Sequence, residues 1–189
     1  KKIVATFWDL HLFDENGLVP ILFVASGNFH KLPGGGIDEG ETKENALLRE
    51  ALEEVGAKME IKSEVGKIVE YRSDKNFKWG FDMKQISYCY IGKILSKGKP
   101  QFTEKEMIEE FELVWMTLDE AIETFENDKP TKVEGKFIRD RDLTFLKAAQ
   151  NMMNSSKLVH NWKGIDNFLR NINIFLGLGI IREYLIKIM

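Results

Sequence analysis

The chain has 189 residues and carries 27 Lys or Arg against 30 Asp or Glu, a formal charge of −3. That length suits one domain with an appendage, and the near balance of charge excludes a broad basic field for nucleic acid or an anionic membrane, so an anionic ligand must be held locally. Cys89 is the single cysteine, which excludes an intrachain disulfide framework and a multi-cysteine zinc site and fits a cytoplasmic protein with a buried thiol.

The opening residues, KKIVATFWDLHLF, have neither the long apolar stretch nor the cleavage site of a signal peptide, so no export is expected. KIVATFW (2–8) and LVPILFVA (18–25) flank the turn-forming DENG and predict adjacent strands; Pro20 argues against a central place for the second. The segment LPGGGIDEGE follows, a loop in which consecutive glycines permit backbone conformations that side chains forbid. A helix is predicted from an N-cap at Thr42 to a stop at Gly56, with Glu41 and Glu44 beside the positive end of its dipole. MEIKSEVGKIVEYRS and MKQISYCYIGKIL read as two long strands of a hairpin with an irregular tip, DKNFKWGFD. FELVWM is a short strand, TLDEAIETFEN a helix capped by Thr117 or Asp119, and FIRDRDLTFLKAAQNMM a second amphipathic helix. This succession predicts an α/β fold, a mixed sheet covered by helices, over residues 1–153. NSSK (154–157) reads as a linker to an apolar, helical extension over 154–189, docked on the domain or on a partner such as a second copy in a homodimer. The longest apolar run there, Ile174 to Ile181, is far short of the roughly 20 residues that span a bilayer.

REALEEVGA, from Arg49 to Ala57, sets Glu50, Glu53 and Glu54 within about a third of the helix circumference, with Leu48, Ala51, Leu52 and Val55 on the opposite side. One face is expected to be acid and the other apolar. Like charges at these spacings oppose helix formation by roughly 0.2–0.5 kcal/mol per pair, so the acid face requires solvation or a cation. Three carboxylates on adjacent turns suit hard cations such as Mg²⁺ or Mn²⁺, which keep water and also bind substrate phosphates.

From Gly35 to Ala57 the order is a glycine, five residues, Glu41, seven residues, Arg49-Glu50, two residues, Glu53-Glu54, one residue, Gly56 and a small apolar residue. This resembles the Nudix box, the signature of the Nudix hydrolases; Ala51 and Ala57 are the small end of its aliphatic class. The resemblance implies an α/β/α sandwich with a mixed sheet between helices, and hydrolysis of the pyrophosphate of a nucleoside diphosphate derivative. It implies Mg²⁺ or Mn²⁺ held by Glu50, Glu53, Glu54 and the Gly35 carbonyl, with Arg49 orienting glutamates. Glu41 is left between an indirect role at the metal and a role at the helix N-terminus, the second being preferred.

A general base near the attacked phosphorus is expected from Glu53, Glu54 or TEKEMIEEFELVW, since many members of the family bring a further acid in after the second hairpin; Glu112 is the first choice there, with Glu110 and Glu109 behind it. Arg72 is a candidate phosphate contact, and Asn127 and Asp128 are candidates to read a base edge. Phe7, Trp8, Phe77, Trp79, Phe81 and Tyr88 are candidates for stacking, and His11, His30 and His160 receive no catalytic role. Residues 58–99 contain no proline, and Tyr71 falls early, so the signatures of ADP-ribose and dinucleoside-polyphosphate members are absent. The expected substrate is a small nucleotide, a nucleoside triphosphate, including oxidised purine forms, cleaved to monophosphate and pyrophosphate. ADP-ribose or a nucleotide sugar is the alternative, and a non-catalytic nucleotide-binding module the reading from another class.

Overall fold

The computed structural model describes residues 2–72, 82–157 and 183–186. Strands β1 (Lys2–Phe13), β5 (Asp82–Lys97), β4 (Ala57–Arg72) and β7 (Glu183–Ile186) form one sheet in that order. It is mixed: β4 and β5 are antiparallel, whereas β1 runs parallel to β5 and β7 parallel to β4. Strands β3 (Phe29–Lys31), β2 (Val19–Val24) and β6 (Phe111–Met116) form a second, antiparallel sheet. Four α-helices among the described residues are α1 (Lys43–Val55), α2 (Glu104–Ile108), α3 (Leu118–Asn127) and α4 (Val133–Lys157).

Alternation along β5 explains the layering, because successive side chains point to opposite faces of a sheet. Tyr88 and Tyr90 turn toward α1 and pack with Leu47, Ala51, Val55 and Met59. Cys89 and Ile91 turn the other way and pack with Leu118 and Phe125 of α3 and with Phe145 and Leu146 of α4. The partner strand β4 also serves both layers. Register shifts lie between Ile61 and Ser63 and between Glu64 and Gly66; Met59 and Ile61 face the α1 side before them, and Ile68 faces the α4 side after them. Each bulge inserts a residue, so the second restores the alternation that the first turned over, and Val65, the residue inserted at the second, packs on the α4 side.

Several sequence expectations change. Strands β1 and β2 are consecutive but enter different sheets. The turn between them is held by Asp14, whose carboxylate accepts from the N–H groups of Asn16 and Leu18, at 2.9 and 2.8 Å. Strand β2 is central in its sheet despite Pro20: β3 pairs only with Leu22 to Val24, so no donor is required of the proline on that side. The expected linker at 154–157 is the end of α4, which runs unbroken from Val133 to Lys157. In the expected helical extension, residues 183–186 form a strand instead, adding to the edge of β4 at Lys67–Glu70. The tip of the long hairpin lies outside the described residues.

Candidate functional site

Helix α1 begins where Thr42 Oγ1 accepts from the Asn45 N–H and ends at Gly56, which is left-handed at φ 70°. Only glycine fits there. A Cβ at Gly56 would stand 2.5 Å from the Lys99 carbonyl carbon, because residues 98–101 are laid against the helix end. The Gly98 N–H donates to the Gly56 carbonyl at 2.8 Å, and the Gln101 N–H to the Glu53 carbonyl at 2.6 Å. These bonds anchor the connection from β5 to α2, a helix opened by a capping box between Thr103 and Glu106.

That anchoring brings Glu106 over α1. Carboxylate oxygens of Glu50, Glu54 and Glu106 lie within 4.8 Å of one another, the first two residues buried and the third half-buried. Opposite ligands of octahedral Mg²⁺ stand about 4.2 Å apart, so small side-chain adjustments let the three oxygens share one ion. The glycine loop completes the fit: a Cβ at Gly35 would collide with the Glu50 carboxylate, so the backbone there approaches the oxygens as only glycine permits. Hard, anionic donors in this cradle suit Mg²⁺ or Mn²⁺.

The expected division of α1 into acid and apolar faces is overturned. Glu50 and Glu54 are on the buried face with Leu47, Ala51 and Val55, while Leu48 and Leu52 are 42% and 44% exposed. Two cationic side chains compensate. Arg49 donates through Nε and Nη2 to both oxygens of Glu41, through Nη1 to Glu50 and Glu53, and through Nη2 to the Gly36 carbonyl. Glu41 is therefore the partner of Arg49, a role apart from the two left open for it. Lys31, at the end of β3, donates to Glu54 Oε1 at 2.7 Å and to the Gly34 carbonyl at 3.0 Å. The Gly34 N–H donates to Glu54 Oε2 at 2.6 Å.

Burial outweighs these partners at the carboxylates. It raises the Glu50 carboxyl despite the adjacent Arg49, and pushes Glu54 up to about 7 against the pull of Lys31. Hydrogen bonding to Glu41 and the charge of Glu50 raise Arg49, which stays protonated throughout. The buried face of α1 thus holds carboxylates whose charge is disfavoured by burial, a condition that a bound cation relieves.

The other predicted residues are dispersed. Glu53 is turned to Arg49 and is absent from the three-carboxylate group. Glu112 is exposed on β6, opposite Phe23, and is likewise absent from that group; from its segment Glu106 arrives instead. Arg72, the candidate phosphate contact, is 6% exposed on β4, paired with Glu70 at 3.1 Å and set over the Phe137 ring. Asn127 is exposed, and its amide donates to the Glu123 carbonyl one turn back in α3. Asp128 accepts from the His30 N–H at 2.6 Å, with its other oxygen 2.8 Å from His30 Nδ1, tying β3 to the end of α3. Tyr88 packs under α1, with Lys43 4.7 Å above its ring. Phe77, Trp79 and Phe81, and the side chains of Phe7 and Trp8, lie outside the described residues. Sequence reasoning missed Glu106 and Lys31. The Thr103-x-x-Glu106 spacing was a readable signal for α2, but nothing local to Lys31 marks it as the partner of a glutamate 23 positions away.

The model of the NUDIX domain matches residues 9–139. An RNA pyrophosphohydrolase of Campylobacter jejuni subsp. doylei is 40% identical over 73 residues, which cover 39% of this chain and 36% of that protein, so the match spans about a third of its length. The fold is similar to the MutT protein from Methanosarcina mazei Go1, with a TM-score of 0.52 at 18% identity over 80% of this chain and 96% of that one. It is also similar to a NUDIX hydrolase from Nitrosomonas europaea, with a TM-score of 0.55 at 12% identity over 79% and 90% of the two chains.

Proposed function

The chain belongs to the Nudix family, and on that premise we propose that it hydrolyses the pyrophosphate bond of a small nucleoside diphosphate derivative, foremost a nucleoside triphosphate, with Mg²⁺ or Mn²⁺. The observation that carries this reading is the convergence of Glu50, Glu54 and Glu106 oxygens within 4.8 Å beside the glycine loop. In this reading Glu50, Glu54 and Glu106 hold the ion, assisted by the Gly35 carbonyl. Held by these residues, such an ion would supply neutralisation of charge on the pyrophosphate and a lowered pKa for the attacking water.

The residues of the chain do the remaining work. Arg49 holds Glu41, Glu50 and Glu53 in place by charge-assisted hydrogen bonds, which limits how far these carboxylates move. Glu53, 33% exposed and less enclosed than its neighbours, is the carboxylate we assign to receive the proton of the water. Glu112, exposed on β6 and absent from the three-carboxylate group, has no part as a base in this reading. Arg72 and Asn127 are engaged within the chain, so phosphate and base recognition by them requires those bonds to open.

A second substrate deserves inclusion in the test, because the curated relative is an RNA pyrophosphohydrolase: the triphosphorylated 5′ end of an RNA presents the same anhydride. The test is product analysis on a panel of nucleoside triphosphates, an oxidised purine triphosphate, ADP-ribose, a nucleotide sugar and a 5′-triphosphorylated oligoribonucleotide, each with Mg²⁺, Mn²⁺ or EDTA. Turnover of at least one substrate, abolished by EDTA and lowered by roughly a hundredfold or more in Glu54→Gln, is expected. Nucleotide binding without turnover of any substrate would instead mark a binding module.

A further inference from the structure

Both oxygens of Glu54 are occupied. Oε2 accepts from the Gly34 N–H at 2.6 Å, a bond made by the backbone of the glycine loop, and Oε1 accepts from Lys31 at 2.7 Å. Each oxygen keeps a second lone pair, but a divalent ion held at Glu54 would stand close to the Lys31 ammonium, and the two positive charges repel each other. The backbone bond belongs to the loop that cradles Glu50, whereas the lysine ends a flexible stem with a single charge and can give way.

Lys31 is built into this position. Its side chain is 12% exposed, its Nζ stands 5.2 Å over the Phe111 ring, and it also donates to the Gly34 carbonyl at 3.0 Å. Two further carboxylates act on its charge, those of Asp142 and Glu50. Asp142 is fully buried on α4, where it accepts from the Leu32 N–H at 2.8 Å, one residue beyond the lysine. Lys31 that has left Glu54 therefore keeps a carbonyl acceptor and a second negative charge nearby.

We propose that Lys31 is the internal counter-ion of the metal-free site, occupying Glu54 Oε1 until a divalent ion displaces it. Lys31 thereby keeps a buried carboxylate paired in the empty protein, and competes with the ion that the site is built to take. This rests on the metal reading of Glu50, Glu54 and Glu106. It makes an opposite prediction from a lysine that merely positions Glu54: loss of its charge strengthens metal binding while weakening the metal-free fold.

Mn²⁺ titration followed by the electron paramagnetic resonance of the free ion, together with thermal melting in EDTA and in Mn²⁺, tests this on the full chain and on Lys31→Met and Lys31→Gln. The variants are expected to bind Mn²⁺ roughly tenfold tighter, to melt lower in EDTA, and to gain more than the wild type when Mn²⁺ is added. Binding equal to or weaker than wild type overturns the proposal while leaving the metal reading intact. Mn²⁺ that binds neither wild type nor variants overturns the metal reading, and this proposal with it. A readout needing no variant is the ¹⁵Nζ resonance of Lys31 in the wild type, which is expected to shift when Mg²⁺ saturates the site; an unmoved resonance at saturation overturns the proposal.

Discussion

Glu106 and Glu112 are six positions apart, yet only one of them meets the acidic face of α1. Glu106 lies in the first turn of α2, with one oxygen accepting from the Thr103 N–H at 2.7 Å, and its carboxylate reaches the Glu50 and Glu54 group. Glu112 projects from β6 and is exposed. Replacing a ligand carboxylate by an amide removes a charge while keeping the shape, so Glu106→Gln is expected to lower kcat by roughly a hundredfold, with Glu112→Gln within about twofold of wild type. Steady-state turnover at saturating metal distinguishes them; a loss in Glu112→Gln with Glu106→Gln near wild type would return the role to β6. Leu48 and Leu52 are exposed, and Glu50 and Glu54 are turned inward, because the buried surface of this helix includes a binding site as well as a core.

At the scale of elements, the end of α1 and the connection to α2 form one unit. Gly56 provides the left-handed stop, residues 98–101 bond to the helix end, and α2 follows from there. Gly56→Ala would impose both a left-handed alanine and a Cβ 2.5 Å from the Lys99 carbonyl carbon. A loss of ~2–4 kcal/mol in unfolding free energy is expected. Denaturant midpoints measure that loss, and Mn²⁺ affinity should fall with it as the α2 connection shifts; a variant as stable as wild type would show that the segment yields freely. The helix and its caps were legible because Thr42, the acidic first turn and Gly56 act within a few residues of each other. Helix α2 was missed because its capping box sits in a stretch too short to show a helical period.

For the whole molecule, the two sheets and their helices place α1 on one side and α3 and α4 on the other, with β4 and β5 exposed to both layers through alternation and bulges. Among the described residues no helix is long and apolar enough to cross a membrane. The residues gathered at the site, from Lys31 to Glu106, fall inside the matched span 9–139. Truncation after Lys157 is therefore expected to preserve turnover within about threefold, while uncovering the β4 edge that β7 pairs with at Lys67–Glu70. An uncovered strand edge invites pairing with another chain, so the truncated protein should show greater self-association by light scattering. Loss of turnover would assign the extension a part in the site itself.

What the sequence by itself determined is whatever local spacing encodes: the N-cap and stop of α1, the long strands, the strand FELVWM, and the box that runs from Gly35 to Ala57. The tertiary structure alone decided that β1 and β2 part into different sheets, that Glu106 joins Glu50 and Glu54, and that Lys31 pairs with Glu54. The physical reason is range. Caps, turns and alternation act between neighbours in the chain, whereas the pairing of buried charges depends on which distant segments packing brings within hydrogen-bond reach.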